Sequence, residues 1–211
     1  MAEWWSYQPS DFLLFSARTY QRLFEVYNAE IWPAHLLAAA LVVALFACMV
    51  AMRRGSTAAA VVAARTACVL VAAGWLWIAW AFHLQRYAAI NWVATWFAAA
   101  FAAQGVLLLL IGAGLRWQRQ DDWREKLGLV LLFFALFIQP WATLALTGRP
   151  WREVEVFGLA PDPTAIGTLG LLLVLRPPRG ARALAFLLLP IPLMWCLVGA
   201  LTRWTLAAQG G

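Results

Sequence analysis

The sequence predicts an all-α integral membrane protein, a six-helix bundle with an N-terminal amphipathic interfacial helix. Of its 211 residues, 64% are hydrophobic and 12% are charged, about half the charged share of an ordinary soluble domain. Apolar runs recur that are long enough for a hydrocarbon core about 30 Å thick, and arginines cluster between them. Short clusters of this kind are typical of membrane loops, so the expected partner is the lipid bilayer and not nucleic acid.

Six apolar runs define the expected spans. They cover about residues 31–52, 58–82, 92–115, 127–147, 163–175 and 183–201. At 1.5 Å per residue the fifth run is about 20 Å long as a helix, which is too short to cross a bilayer unaided. Residues 31–211 are thus the expected transmembrane domain, and residues 1–30 form a separate N-terminal segment.

The N-terminal segment has the pattern of a helix that lies on a membrane surface. Its apolar residues recur at helical spacing along one stripe: Tyr20, Leu23, Phe24, Tyr27 and Ile31. Arg18, Arg22 and Glu25 fall on the opposite side. Such a helix is expected to lie flat on the outer leaflet, before Pro33 turns the chain into the first span.

The distribution of positive charge predicts the orientation. Ten arginines and lysines fall on one face: Arg53, Arg54, Arg65, Arg116, Arg119, Arg124, Lys126, Arg176, Arg179 and Arg182. The other face receives six: Arg18, Arg22, Arg86, Arg149, Arg152 and Arg203. The positive-inside rule therefore places both termini on the periplasmic side of the membrane. Fifteen arginines against one lysine, with abundant alanine and leucine, are typical of a GC-rich bacterial genome, so that membrane is the bacterial inner membrane.

The stretch from Phe157 to Thr164 is the most informative for a site. Asp162 followed by Pro163 indicates a helix start, with the carboxylate as the cap. The residues before it are apolar but poorly suited to a helix. They favour non-helical backbone that enters the outer leaflet, where an exposed helix N-terminus attracts negative charge. An ordinary capped helix in a thinned bilayer is the alternative, and the preferred interpretation.

Further polar residues are expected at the same face. His83, Tyr87 and Asn91 recur every four residues and share one side if their helix continues to Trp92. They form either the polar wall of an outer vestibule or the solvent-exposed end of a span. The complete candidate outer-face site comprises His83, Tyr87, Asn91, Glu25, Asn28, Glu30, Asp162 and Thr164.

Two histidines raise the question of a cofactor. His35 and His83 are expected at matching depths on neighbouring helices, an arrangement that can ligate haem or a metal. Glu25, Glu30 or Asp162 would then supply oxygen ligands. Histidines at this depth more often hydrogen-bond to water or backbone, and no H-x-x-x-H or H-E-x-x-H motif occurs. No cofactor is predicted, and haem or metal binding stays an open alternative.

Nearly the whole sequence resembles a known family. The pattern comprises Trp4-Trp5-x-Tyr7-x-Pro9-Ser10-Asp11-Phe12-Leu13, Tyr20-x-Arg22-Leu23, Asn28-Ala29, Trp32-Pro33, Asn91-Trp92 and Phe157-Gly-Leu-Ala-Pro-Asp-Pro-Thr-Ala-Ile-Gly-Thr-Leu-Gly170. It resembles an uncharacterised family of small bacterial integral-membrane proteins. The resemblance implies a membrane location and several spans, and it implies no activity.

No catalytic residues are predicted, because the sequence contains no nucleophile elbow, phosphate loop or dinucleotide-binding motif. Gln104 and Gln139 are the strongly polar residues near mid-span, and the lack of intramembrane carboxylates argues against ion-driven transport. Three hypotheses follow. The first is a non-catalytic accessory or structural subunit that binds other integral membrane subunits. The second is a passive facilitator for a small solute, and the third is a haem- or metal-binding redox subunit.

Overall fold

The computed structural model describes residues 15–118, 122–148 and 150–208, and their regular structure is helical. In chain order the α-helices are α1 Ala17–Glu30, α2 Ala34–Arg54, α3 Thr57–Trp77, α4 Ala94–Leu107, α5 Trp123–Phe133, α6 Gln139–Thr147, α7 Pro161–Val174, α8 Arg182–Phe186 and α9 Pro190–Ala208. Wider π-helical turns extend α3 through Ile78–Leu84 and α4 through Leu108–Gly112, and Phe134–Ile138 joins α5 to α6. The all-α prediction is confirmed.

Five helical runs in the described chain are long and apolar enough to span a membrane. They are Ala34–Arg54, Thr57–Ala89, Ala94–Gly112, Trp123–Leu146 and Arg179–Ala207. They correspond to the first, second, third, fourth and sixth expected spans. The fifth expected span, 163–175, is α7, a helix of 14 residues. The helix begins two residues before the expected run and ends one residue before the end of that run.

Several helix ends differ from the expected bounds for local reasons. Asp122 Oδ1 accepts hydrogen bonds from the amides of Arg124 (2.9 Å) and Glu125 (3.3 Å), so α5 begins four residues before the expected start at 127. The last span is divided into α8 and α9, because Pro190 has no N–H to continue the helix. The π-helical turn that joins α5 to α6 ends directly before Gln139-Pro140, and helices bend at such turns and at prolines.

Glycines bring two of the helices into backbone contact. A Cβ on Gly128 of α5 would lie 2.6 Å from the carbonyl oxygen of Gly170 on α7. One on Gly170 would lie 2.8 Å from the Gly128 carbonyl oxygen. Small residues at a helix crossing allow this approach in membrane proteins. The short α7 is therefore held against α5 along its length and lies inside the bundle, where most of its side chains are buried.

The bundle has two ends with different partners. At the first, called the Arg53 end, Arg53 Nε lies 3.5 Å from Glu125 Oε1, and Gln118 pairs with Arg176 by two backbone hydrogen bonds. At the second, called the Arg203 end, Arg203 of α9 forms an ion pair with Asp162 of α7. The chain from Asp162 to Arg176 therefore runs from the Arg203 end to the Arg53 end.

The apolar stripe of α1 packs on the protein. Leu23, Phe24 and Tyr27 are buried, and the rings of Phe24 and Tyr27 lie 5.2 and 5.3 Å from that of Phe82. The stripe therefore covers the aromatic surface at the end of the α3 run. The expected position of this helix on the outer leaflet stays a prediction. Residues 1–14 of the expected interfacial segment lie outside the described part of the chain.

Candidate functional site

Asp162 is a buried carboxylate that joins two helices. It is 6% exposed, forms the ion pair with Arg203, and accepts a 2.8 Å hydrogen bond from Trp195 Nε1. A Cβ on Gly199 would lie 2.8 Å from Asp162 Oδ1, so this glycine makes room for the carboxylate. The prediction that Asp162 caps α7 is wrong. The helix begins at Pro161 after Ala160 with no side-chain cap, and the carboxylate binds α9 instead.

The backbone before α7 forms a buried turn. Phe157 is fully buried, and Gly158 has a φ of +82°, a left-handed conformation that glycine adopts without strain. A Cβ on Gly74 of α3 would lie 3.0 Å from the Gly158 Cα. Non-helical backbone therefore enters the bundle here, enclosed by protein. The preferred interpretation of an ordinary capped helix is wrong, because α7 has no side-chain cap. The position of this turn in the outer leaflet stays a prediction.

Thr164 satisfies the polar groups of this turn. Its Oγ1 accepts from the Gly158 amide at 2.8 Å and donates to the Ala160 carbonyl oxygen at 2.7 Å. Thr168 Oγ1 donates to the Thr164 carbonyl oxygen at 2.6 Å and accepts from Trp75 Nε1 at 2.8 Å. Both threonines are fully buried. Thr164 thus has a role in folding the turn, and its hydroxyl is not directed to an open site.

His83 lies in a buried aromatic cluster. The ring is fully buried, with ring centroids 4.4 Å from Phe101 and 5.1 Å from Trp195. Neither ring nitrogen has a hydrogen-bond partner among the described residues. The helix does not continue to Asn91, because Leu84 ends the π-helical turn and a 3₁₀ turn follows. His83 and Tyr87 are nevertheless neighbours, with centroids 6.0 Å apart.

Asn91 and Glu30 have local roles near this cluster. Asn91 Oδ1 accepts a 3.1 Å hydrogen bond from the Val93 amide, ahead of α4. Glu30 forms an ion pair with Arg86. Both residues therefore stabilise loops at the Arg203 end, and neither lies against His83 in the described contacts.

Glu25, Asn28 and His35 line a separate cavity of about 520 Å³ at the Arg203 end. Its other walls come from Ala29, Trp32, Trp151, Arg152 and Val154. Asn28 Nδ2 donates to the carbonyl oxygens of Arg152 (2.8 Å) and Val154 (2.9 Å), while Glu25 lies 3.9 Å from the Arg152 guanidinium. The eight predicted site residues therefore form several separate groups.

The surroundings of the two histidines differ. His35 lies beside Trp32 at the cavity, with centroids 6.1 Å apart, whereas His83 lies among the rings that pack against α4 and α9. Among the described residues, no group of three or more His, Cys, Asp or Glu side chains is arranged to hold a metal ion. Haem or metal binding by these histidines stays an open alternative.

Sequence reasoning missed Tyr27 as a polar residue. Its hydroxyl donates to the Leu159 carbonyl oxygen at 2.8 Å and accepts from Trp77 Nε1 at 3.0 Å. Burial raises the pKa of this phenol above its usual value. Tyr27 thus ties α1 to α3 and to the turn before α7. The helical stripe indicated that Tyr27 is buried, but it contained no signal for these partners.

A family model matches residues 17–209, and its description is "Family of unknown function (DUF6064)". The chain belongs to DUF6064. The resemblance to an uncharacterised family is thereby confirmed. The DUF6064 match begins with α1 and includes α9, so the family extends over all the groups described above. Comparison with curated proteins and comparison with solved structures each gave no match.

Proposed function

We propose that this protein crosses the bacterial inner membrane six times and serves as a non-catalytic subunit of a membrane complex. The observation that carries the proposal is the apolar, little-covered surface of α2. It joins the bundle along one narrow seam and presents the rest of its length outward.

In the proposed topology, the five span-length helices and α7 each cross the membrane. Because α7 connects the Arg203 end to the Arg53 end, it counts as a crossing together with the buried turn before it. An enclosed turn of this kind is tolerated at membrane depth, since protein satisfies its backbone. The Arg53 end carries most of the arginines and is cytoplasmic by the positive-inside rule. α1 then lies at the outer interface, with Arg18 and Arg22 exposed to headgroups.

The α2 helix is the least covered of the span-length helices. In its most apolar stretch 17% of residues are buried, against 22% to 44% in the other four. Its buried residues form one seam: Ala34, Ala38, Leu45, Cys48 and Met52. Large apolar side chains point away from that seam, among them Leu37 (72% exposed), Val43 (68%) and Phe46 (59%). Most of α2 is therefore available to another helix.

The exposed side of α2 alternates large and small residues. Leu36, Ala40, Val43, Ala47 and Val50 are exposed and follow each other at steps of four and three. This is the spacing of a helix-packing seam. Alanines within such a seam let two backbones approach closely, which is how membrane helices associate. A transmembrane helix of another subunit is the partner that fits this surface.

The polar interior supports a non-catalytic role. Asp162, Thr164, Thr168 and Tyr27 bind other parts of the same chain. These contacts hold the bundle together. A catalytic site would instead direct such groups at a cleft where substrate binds.

Site-specific photo-crosslinking tests the proposal. A photoreactive residue at Val43 is expected to give one protein adduct in native membranes, and one at Leu197 of α9, 60% exposed, is expected to give none. The adduct should disappear in Ala40→Leu/Ala47→Leu, which blocks close approach. It should persist in Ala99→Leu/Ala103→Leu, which changes exposed alanines of α4. Equal adducts at Val43 and Leu197, or an adduct that survives Ala40→Leu/Ala47→Leu, would contradict it.

A passive facilitator is the second candidate function. It is favoured by the 520 Å³ cavity at the Arg203 end. Such a protein would need a water path between the helices. The rings of Tyr27 and Phe82 are 1% exposed close to this end, which argues against an open path. A solute-flux assay in proteoliposomes distinguishes the candidates: flux above that of empty liposomes would support the facilitator.

A further inference from the structure

A second cavity, of about 380 Å³, lies at the Arg53 end between three parts of the chain. One wall is the end of α7, with Leu172, Leu173 and Leu175. The opposite wall is α8 and the turn after it, with Ala185, Phe186 and Leu189. Trp117 and the start of α5 complete it. The cavity therefore has an apolar interior between helices, at the end that carries most of the arginines.

The rim of this cavity is basic. Arg124, Arg176 and Arg182 line it together with one carboxylate, Asp122. All three arginines are exposed, and in the described part of the chain none of them has an ion-pair partner. Asp122 is already engaged, because it caps α5 through the amides of Arg124 and Glu125. Among the described lining residues, three arginines therefore accompany one carboxylate, which already accepts two backbone hydrogen bonds.

A neighbouring cavity extends the positive surface. It measures about 430 Å³ and is lined by Gln118, Arg176, Pro177 and Arg179. Arg176 and Pro177 border both cavities. The pairing of Arg176 with Gln118 through the backbone holds this boundary in place and does not involve the guanidinium. Guanidinium groups bind phosphate oxygens through paired hydrogen bonds.

We propose that this cleft binds the phosphate headgroup of an anionic phospholipid, with an acyl chain against the leucine wall. A ligand for it must be anionic at one end and apolar at the other, since the rim and the interior differ in that way. Basic pockets between helices at the cytoplasmic face suit such headgroups. The inference rests on the membrane placement proposed above and is independent of the docking role of α2.

The experiment measures lipid retained by the full chain in mild detergent, by native mass spectrometry. Phosphatidylglycerol and phosphatidylcholine with the same acyl chains are compared. We expect phosphatidylglycerol to bind at least 10-fold more tightly. Arg176→Gln/Arg182→Gln should weaken its binding about 30-fold, from the attraction of an anionic membrane surface per basic residue. Arg18→Gln/Arg22→Gln removes the same charge from exposed positions of α1 and should change binding less than 3-fold.

Two further measurements separate the contribution of the lipid headgroup from that of the acyl chain. Ala185→Phe narrows the apolar wall and keeps every charge, so it should also weaken phosphatidylglycerol binding. Inorganic phosphate should neither compete at equal concentration nor raise the melting temperature as the lipid does. The proposal is overturned if phosphate alone reproduces the lipid effect, if the two lipids bind equally, or if both arginine pairs have the same effect. Sedimentation with carbonate-washed membranes tests the placement separately, so a failure of either claim is recognised.

Discussion

Arg203, near the end of α9, forms an ion pair with Asp162 in the first turn of α7. The two side chains are buried to different degrees: that of Asp162 is 7% exposed and that of Arg203 is 47% exposed. If the ion pair is broken, the guanidinium of Arg203 can therefore be hydrated, whereas the carboxylate of Asp162 stays buried. The contact fixes the end of the short helix α7 against a helix that runs in the opposite direction.

This asymmetry has a consequence for substitutions. Arg203→Gln leaves a buried carboxylate without its counter-charge. Because the guanidinium is half exposed, the expected cost is about 3 kcal/mol of stability, the low end for a buried pair broken on one side. Asp162→Asn keeps an acceptor for Trp195 and is expected to cost about 1 kcal/mol. The double variant should lose less than the two single effects combined. Thermal unfolding in lipid nanodiscs measures all three, and a larger loss for Asp162→Asn would contradict the interpretation.

Thr164 and Thr205 provide a matched pair of threonines. Thr164→Val leaves the buried Gly158 amide without a partner and is expected to cost about 2 kcal/mol. Thr205 bonds within its own helix, to the carbonyl oxygens of Leu201 and Thr202. Thr205→Val should therefore change stability by less than about 0.5 kcal/mol. The measurement is the melting temperature of each variant in the same detergent, and equal losses would show that the hydroxyl of Thr164 has no special role.

Tyr27 predicts a pH dependence. Its pKa is raised from 10.0 by burial, so the folded protein holds the phenolic proton more tightly than the unfolded chain. The associated stability is fully present below about pH 10 and falls as pH rises from there towards the raised native pKa. Tyr27→Phe should be less stable at pH 8, because the Leu159 and Trp77 contacts are lost. The stability difference from the native protein should narrow above pH 10, and a constant difference from pH 8 to 11 would contradict this.

Substitutions at His83 test whether its nitrogens matter. The ring packs in an aromatic cluster without hydrogen-bond partners among the described residues. His83→Phe is therefore expected to remain within about 1 kcal/mol of the native stability. His83→Ala leaves a cavity and should cost about 3 kcal/mol. The same preparations decide the haem hypothesis: a Soret band in the native protein that is absent from His83→Phe would support ligation by this ring.

The spans were largely predictable from sequence because apolar length is a local property. The run 36–52 is apolar throughout, and this can be seen without knowing which part of the fold it contacts. The shortness of α7 was also visible, because Asp162 and Arg176 bound its apolar run. The end of the last helix could not be read from the apolar run. α9 continues beyond Leu201 through residues that include polar side chains.

The candidate site could not be assembled from sequence because its partners are distant along the chain. Nothing near Asp162 indicates that Arg203 and Trp195 bind it, and a cap was the natural interpretation of Asp-Pro. The same holds for Tyr27, whose hydroxyl binds Leu159. The close crossing of Gly128 and Gly170 could not be predicted either, because the two glycines belong to different helices. Local sequence patterns indicate which side chains are buried, whereas the tertiary fold decides which groups they contact.

In the proposed topology α7 crosses the membrane, so that the chain on its two sides lies at opposite faces. Cysteine labelling with a membrane-impermeant maleimide tests it, in a background where Cys48, Cys68 and Cys196 are replaced by alanine. Trp151→Cys, at a position 73% exposed, should react in intact cells. Gly180→Cys, with open space around its Cβ position, should react only after permeabilisation. Labelling of both positions under the same condition would contradict the crossing, and with it the six-span arrangement.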